Sequence, residues 1–209
     1  MRKSLTRGQD TSMKVNDDSI SQLNTFFDIV NKNEFMYEIC RKSSELKLKN
    51  CYVGAGFIAQ SIWNHLFGYS LTHGINDIDI VYFDEDLSFE NEDVAIKKAN
   101  ALFAGYPLKV DLKNQARVHL WHQDHFRYAI KPYRSAEEAI NTWPTTATAI
   151  GLRLGEDKEW VVYAPFGFND LLSKIVRANK VQITQEIYES KVKRWISYWP
   201  DLKIIPWEA

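Results

Sequence analysis

The spacing of hydrophobic residues predicts helices and short strands in alternation from about residue 20 onward. Residues 20–39 carry apolar side chains three and four positions apart, which predicts one or two amphipathic helices interrupted near residues 31–33. Further helices are predicted after Gly56 as far as Gly68, over residues 89–104 and 135–142, after Asn169 and Asp170, and over residues 184–198. In the helix over residues 89–104, the side chains expected to face inward are Val94, Ile96, Ala99, Leu102 and Phe103.

Short apolar runs predict the strands. They cover residues 49–53, 76–83 and 108–112, and a hairpin formed by residues 145–154 and 159–163. Residues 114–126 mix polar and aromatic side chains without a regular period, so we expect no helix there.

Two carboxylates interrupt the most apolar of these strands. Asp77 and Asp79 are two residues apart, and because side chains alternate along a strand they point to the same face. Neighbouring carboxylates repel each other and are costly to desolvate, which favours a divalent cation between them. Taken alone, the pair is also compatible with a turn or a loop cap at the start of the strand.

A glycine-containing turn precedes this strand in the chain. Residues 51–53 lead into Gly54, Ala55 and Gly56 and then into a helix, an arrangement that can receive phosphate groups at the helix N-terminus. A third carboxylate, Asp111, lies on the strand predicted over residues 108–112. The turn by itself is weak support, since many strand–helix connections need glycine for their geometry.

Together, these parts resemble the nucleotidyltransferase superfamily with a palm of the polymerase-beta type. Its pattern is a glycine turn, an Asp-x-Asp or Asp-x-Glu pair, and a third carboxylate on a later strand. A closer resemblance, to a bacterial family of nucleotidyltransferase-like proteins, runs from about residue 50 to the C-terminus. It is carried by NDID at 76–79, YFD at 82–84, KNQARVH at 113–119, WPTTATA at 143–149, APFGFNDL at 164–171 and WP at 199–200.

The resemblance implies an α/β (α+β) fold: a mixed, mostly antiparallel sheet, helices packed behind it and a C-terminal lobe. It implies Mg²⁺ or Mn²⁺ held by Asp77, Asp79 and Asp111, with a nucleoside triphosphate as substrate. The nucleotide would pass to an acceptor hydroxyl, on a small molecule or a protein, with release of pyrophosphate. The expected domains are a loose tail over residues 1–18, a palm core over 19–142 and an extension over 143–209.

Phosphate contacts are expected from the turn, through Gly54, Ala55 and Gly56. The superfamily commonly has Gly-Gly or Gly-Ser in this turn, and many relatives have an arginine in the next helical turn, which residues 57–60 lack. If the strand carrying Asp111 continues, Lys113, Arg117 and His119 share its parity and line the site; the alternative is a cationic row on an exposed sheet edge.

Two other clusters have competing interpretations. His119, His122 and His125 are three residues apart, as zinc ligands on a helix would be, but no helical pattern surrounds them. The last helix carries cations at residues 191, 193 and 194 beside two tryptophans. They form either a nucleic-acid face or, as the overall charge favours, an ordinary packed helix whose cations reach into solvent.

Composition and net charge limit the partners and the cellular location that we expect. The 209 residues have a formal net charge of −1, which provides no overall positive field for nucleic acid or an acidic membrane, so we expect neither as a partner. No signal peptide or membrane-length apolar run is visible, and Cys40 and Cys51 have no metal-binding spacing, so we expect a cytoplasmic protein. The alternatives to a transferase are a nucleotide-binding palm protein with little or no turnover and a metal-dependent hydrolase.

Overall fold

The computed structural model describes residues 4–5 and 17–209, in which helices alternate with short strands. The helices are α1 (Asp17–Lys32), α2 (Glu34–Ser44), α3 (Ala55–Phe67), α4 (Phe89–Leu102), α5 (Val118–Phe126), α6 (Ala136–Ile140), α7 (Asn169–Leu172) and α8 (Gln185–Tyr198). The strands are β1 (Ser4–Leu5), β2 (Tyr52–Gly54), β3 (Asp77–Tyr82), β4 (Lys109–Asn114), β5 (Gly151–Leu154), β6 (Trp160–Tyr163), β7 (Ile175–Val176) and β8 (Lys203–Ile204). Within this described part, no helix is both long enough and apolar enough to cross a membrane.

Six of the strands form one sheet in the order β1-β6-β5-β2-β3-β4, and β7 and β8 form a separate parallel pair. The pairs β2–β3, β2–β5 and β5–β6 are antiparallel, whereas β3–β4 and β1–β6 are parallel. This confirms the prediction of a mixed, mostly antiparallel sheet. The sheet takes strands from both sides of the domain boundary expected at residue 143, because β5 and β6 follow it. The tail expected over residues 1–18 lies almost entirely outside the described residues.

The two faces of the sheet differ in what covers them. On β3, Ile78 and Ile80 are fully buried in the main core, beneath the helices α1 to α3. The alternate side chains, Asp77, Asp79 and Val81, point to the opposite face, where a cleft opens. The period of two along this strand therefore places both carboxylates on the face that is turned away from α3.

Tryptophan packing attaches α8 to α3. The Trp63 ring of α3 lies 5.7 Å from the rings of both Trp195 and Trp199, edge to face in each case. Trp199 also donates a hydrogen bond from Nε1 to Oδ1 of the buried Asn64, at 2.8 Å. These contacts hold the C-terminal helix against the C-terminal part of α3.

Local signals place several helix ends correctly. Asn33 separates α1 from α2 and accepts a hydrogen bond from the Met36 backbone N–H, which confirms the predicted interruption. Gly68 adopts a left-handed conformation at the end of α3, as its position predicts.

Other predictions about secondary structure are wrong. Residues 118–126 form α5, although their apolar spacing is irregular, because one side packs on aromatic neighbours and the other is exposed. Val94, which was expected to face inward, is 64% exposed, and its neighbour Ala95 is buried in its place, whereas Ala99 and Phe103 are buried as predicted. The first strand of the hairpin begins only at Gly151. Residues 145–149 form a turn in which the Thr145 and Thr148 hydroxyls hydrogen-bond to each other. Local hydrogen bonds from threonine side chains of this kind compete with strand pairing.

Candidate functional site

The three aspartates lie on adjacent strands and line one cleft. In the parallel ladder between β3 and β4, Asp79 lies directly opposite Asp111, and Asp77 lies opposite Lys109. Asp77, Asp79 and Asp111 all border the same cleft, whose volume is about 380 Å³. The structure thus brings together the three carboxylates that the sequence placed on two separate strands.

The carboxylates of the cleft act on one another electrostatically. Burial, followed by the negative charges of Asp77 and Asp111, raises the pKa of Asp79 to about 7. Two groups act in the opposite direction, the Lys191 ammonium and the Gly56 backbone N–H, which hydrogen-bonds the Asp79 carboxylate. Asp79 is therefore the member of the group whose charge most needs a cation beside it.

Backbone N–H groups of the glycine turn close the turn and position the Asp79 carboxylate. The Ala55 backbone N–H donates to the Ile150 carbonyl at 3.0 Å, and the Gly56 N–H is directed to Asp79. A Cβ at Gly54 would lie 2.7 Å from the Ile150 carbonyl oxygen and from the Trp143 ring, so only glycine fits there. Two of the N–H groups expected to bind phosphate are thus engaged in positioning Asp79 and in closing the turn.

Ala55 occupies a position that favours glycine. Its φ is 48°, in the left-handed region, where the Cβ of an L-residue is crowded by the backbone. The alanine at this position therefore introduces local strain into the turn.

Gln60 is a further polar group beside the turn. It is 4% exposed, lines the cleft, and its Nε2 would be 2.7 Å from a Cβ at Gly56. In the part of the chain that the structure describes, its Oε1 is buried and has no hydrogen-bond partner. A buried acceptor without a partner is costly, and a ligand hydroxyl or amine in the cleft would satisfy it.

The two cations expected after Asp111 are placed differently from each other. Lys113 lines the cleft, and its Nζ forms an ion pair with Asp111 Oδ1. Arg117 does not line the cleft, because β4 ends at Asn114 and a 3₁₀ turn over Gln115–Arg117 follows. Its guanidinium is buried in an ion pair with Glu92. The prediction that Arg117 lines the site assumed that the strand continues beyond Asn114, and it is wrong.

Two cations of α8 enter the cleft, although the sequence analysis favoured a packed helix whose cations reach into solvent. Lys191 and Arg194 both line it, and the Lys191 ammonium is close enough to Asp79 and Asp77 for their charges to raise its pKa. Burial of the Lys191 ammonium lowers its pKa, and this effect is larger than the opposing effect of the two carboxylates. Arg194 donates to the Gly74 carbonyl at 3.1 Å. The tryptophans that follow these residues indicated a packed helix, but not which of its sides faces the carboxylates.

Aromatic side chains form the wall opposite the glycine turn. They come from α5 and the segment after it: Trp121, His122, Phe126, Tyr128 and Tyr133. His122 bonds through Nδ1 to the Tyr128 carbonyl oxygen at 2.9 Å, and its ring lies 4.6 Å from that of Phe126. The histidines at 119 and 125 do not line the cleft, so the structure does not gather the three histidines there.

The donor set suits a hard cation with open coordination positions. Among the residues that the structure describes, no three His, Cys, Asp or Glu side chains form a ready-made metal cage, and Asp111 is engaged with Lys113. Mg²⁺ is usually held by one or two carboxylates together with substrate phosphates and water, and does not need a cage made only of protein. The mutual repulsion that raises the pKa of Asp79 is what such an ion would relieve.

Comparisons with known proteins identify the family and the fold. The model of a family described as nucleotidyltransferase matches residues 41–204. A solved structure described as an NMR structure that reveals a CCA-adding enzyme head domain is 27% identical, with a TM-score of 0.72, and the match covers 88% of this chain and 95% of that chain. A search of the curated proteins finds none that matches.

Two other solved structures are described as apo forms of a tRNA-processing enzyme. They are 16% and 14% identical to this chain, with TM-scores of 0.44 and 0.43. The matches cover 84% and 80% of this chain, and the chain spans 44% of the length of each.

Proposed function

The chain belongs to the nucleotidyltransferase family whose model matches residues 41–204, and from this premise we propose that it transfers a nucleoside monophosphate from a nucleoside triphosphate to an acceptor hydroxyl. The observation that carries the proposal is the shared cleft of Asp77, Asp79 and Asp111, with Asp79 and Asp111 paired in register. The similarity to a structure described as a CCA-adding enzyme head domain supports the same chemistry.

Asp77 and Asp79 are the residues that would hold Mg²⁺ or Mn²⁺. The bound ion would neutralise charge on the phosphates and align the triphosphate for in-line displacement. Around it, the chain contributes fixed groups: the Gly56 N–H keeps the Asp79 carboxylate oriented, and the packing of Trp143 against Gly54 keeps the turn in place. Pre-organised groups of this kind lower the barrier through positioning, without covalent participation of the protein.

Cationic side chains take the place of the missing arginine in the first turn of α3. Lys191 lies near Asp79 and Asp77, and Arg194 lies one helical turn further along the same side of α8. Both border the cleft, so a triphosphate chelated at the carboxylates would meet positive charge from α8. This arrangement makes α8, in the extension over residues 143–209, part of the nucleotide site.

Asp111 is the residue placed to handle the acceptor. A hydroxyl bound beside it would attack the α-phosphorus; the new O–P bond forms as the bond to the β-phosphate oxygen breaks, and pyrophosphate leaves. The hydroxyl proton passes to Asp111 or, through it, to water. Lys113 forms an ion pair with Asp111 and so fixes the position of that carboxylate in the cleft.

A nucleotide-binding protein with little or no turnover is the second candidate. One observation favours it: Ala55 and Gly56 direct their N–H groups to Ile150 and Asp79, which leaves fewer donors for the phosphates than the turn of an active relative would offer. In this case the cleft would bind metal and nucleotide and signal occupancy through α8.

One experiment separates the two functions. The protein is incubated with each triphosphate, Mg²⁺ or Mn²⁺ and cell extract as a source of acceptors, and pyrophosphate is measured; in parallel, the melting temperature is recorded with each nucleotide. Transfer predicts pyrophosphate release that is lost in Asp79→Asn. A metal-dependent thermal shift without release would identify the binding protein. No shift and no release with any triphosphate at about millimolar concentration would contradict both.

A further inference from the structure

A second concave surface lies at the other ends of the strands that border the cleft. It is a groove of about 790 Å³, bordered by the C-terminal half of α2 and by residues 47–51 and 153–156. The cleft borders the chain from Ala55 onward, just after β2, whereas the groove borders Cys51 and Val53. None of the three aspartates lines the groove, so it is separate from the candidate active site.

The groove is strongly cationic. Its ionisable lining, apart from one tyrosine and two cysteines, consists of five cations and one carboxylate: Arg41, Lys47, Lys49, Arg153, Lys158 and Glu156. Across residues 18–209, Arg41 pairs with Glu45, and the other four cations take part in no ion pair. Since the whole chain has a net charge of −1, the positive charge is concentrated here and is not a general property of the surface.

Arg153 is held in place at the floor of the groove. Its guanidinium lies over the Tyr52 ring at 5.4 Å, and the Tyr52 hydroxyl is fixed in turn by a 2.7 Å hydrogen bond to Glu137. In the described part of the chain, the Arg153 Nε is buried without a hydrogen-bond partner. The contact with Tyr52 thus fixes a positive charge beside the groove, where it would attract an anion.

An exposed aromatic ring stands on the same wall as the cations. Tyr37 lines the groove and is 42% exposed, and its ring rests edge to face on Trp160 at 5.9 Å. The contact with Trp160 supports the ring from one side and leaves another side accessible. A rigid exposed ring beside several unpaired cations is the combination by which proteins bind single-stranded nucleic acid, with bases stacked on the ring and phosphates on the cations.

We propose that this groove binds single-stranded nucleic acid. The phosphates would lie along Lys47, Lys49 and Arg153, and a base would stack on Tyr37. The proposal goes beyond the nucleotide transfer in the cleft, because binding here needs neither the aspartates nor a triphosphate. It also revises the expectation that nucleic acid is not a partner. That expectation came from the net charge of the whole chain, which does not reveal a local cluster of cations.

The test uses the full chain and a fluorescein-labelled single-stranded RNA of about 12 nucleotides, without triphosphate or metal, and follows fluorescence anisotropy between about 50 and 200 mM salt. We expect binding whose affinity falls steeply with salt. In Lys47→Gln/Lys49→Gln, the dissociation constant should rise about tenfold at the lower salt concentration, and the slope of log K against log salt should fall by about 1.4. Tyr37→Leu should weaken binding about fivefold or more without changing the slope, because stacking is lost and the charge is not.

Matched controls locate the binding. Lys32→Gln/Lys97→Gln removes two exposed lysines from α1 and α4, outside the groove, and should leave the affinity within about twofold. Asp79→Asn should also bind RNA normally, which separates this proposal from the transfer reaction. The proposal is overturned if the wild type does not bind, if both double-lysine variants weaken binding equally, or if Asp79→Asn abolishes it. It is likewise overturned if an acidic peptide of similar charge binds as tightly and Tyr37→Leu has no effect, since the groove would then be a protein-docking surface.

Discussion

Lys191 on α8 and Asp79 on β3 face each other in the cleft, and the charge of each shifts the pKa of the other in the direction that favours ionisation. The relationship depends on the packing of Trp195 and Trp199 against Trp63, which holds α8 beside the acidic strand. A helix from the C-terminal end of the chain thereby completes a site whose carboxylates lie near its middle.

Removal of Lys191 tests its role toward the nucleotide. In Lys191→Gln, we expect the KM for the triphosphate to rise about tenfold or more, because a charge-assisted contact to phosphate is lost. Lys193→Gln is the matched control, since Lys193 lies on the same helix and does not line the cleft. Steady-state kinetics of pyrophosphate release would measure both variants. An equal rise in KM in the two variants would mean that the overall charge of α8, and not the position of Lys191, determines binding of the triphosphate.

The raised pKa of Asp79 predicts a pH-dependent stability of the metal-free protein. Because the folded-state pKa of about 7 lies above the ordinary 3.8, the folded state holds a proton that the unfolded state has lost, and stability falls as pH rises between about 4 and 7. Asp79→Asn removes this penalty. We expect the variant to be more stable than the wild type by about 1–3 kcal/mol at pH 8 and nearly equal to it near pH 4.

Urea denaturation in EDTA at several pH values would measure this difference. Asp86→Asn provides a control of opposite sign: the Ser88 backbone N–H lowers the pKa of Asp86, so its contribution is present at neutral pH and is lost as the pH falls. A difference between Asp79→Asn and the wild type that does not vary with pH would show that Asp79 is not destabilised by its neighbours.

The left-handed conformation of Ala55 predicts an unusual gain from glycine. Ala55→Gly should stabilise the protein by up to about 1 kcal/mol, because relief of the strain exceeds the added entropy of the unfolded chain. Ala59→Gly makes the same chemical change in the interior of α3 and should destabilise by about 1 kcal/mol or more. The free energies of unfolding in urea check the pair, and a loss of stability in Ala55→Gly would contradict the strain at this turn.

The buried ion pair of Arg117 with Glu92 predicts a structural effect. Arg117→Met leaves the Glu92 carboxylate buried and unpaired, which should cost about 3–5 kcal/mol. Adding Glu92→Gln removes the charge, keeps an acceptor for the Asn114 backbone N–H, and should restore most of the stability. In this double variant, the KM for the triphosphate should stay within about twofold of the wild type. A large rise in KM with stability restored would instead make Arg117 a nucleotide contact.

Local patterns were reliable where a single residue or a short period determines the outcome. Asn33 and Gly68 mark helix ends because capping and left-handed geometry are decided within a few residues. Irregular segments were not predictable in this way: α5 has only Val118 and His122 buried, too few positions to produce a helical period in the sequence.

By itself, the sequence determined that Asp77 and Asp79 share a face of one strand, because strand periodicity is a property of the backbone. It also determined the glycine turn and, through its motifs, the family to which the chain belongs. Only the tertiary structure decided that Asp111 lies opposite Asp79, that Lys191 reaches the cleft while Arg117 is buried against Glu92, and that unpaired cations gather around Arg153. These relationships join residues that are far apart in the chain. They depend on strand register, helix packing and burial, and a local sequence pattern does not specify any of the three.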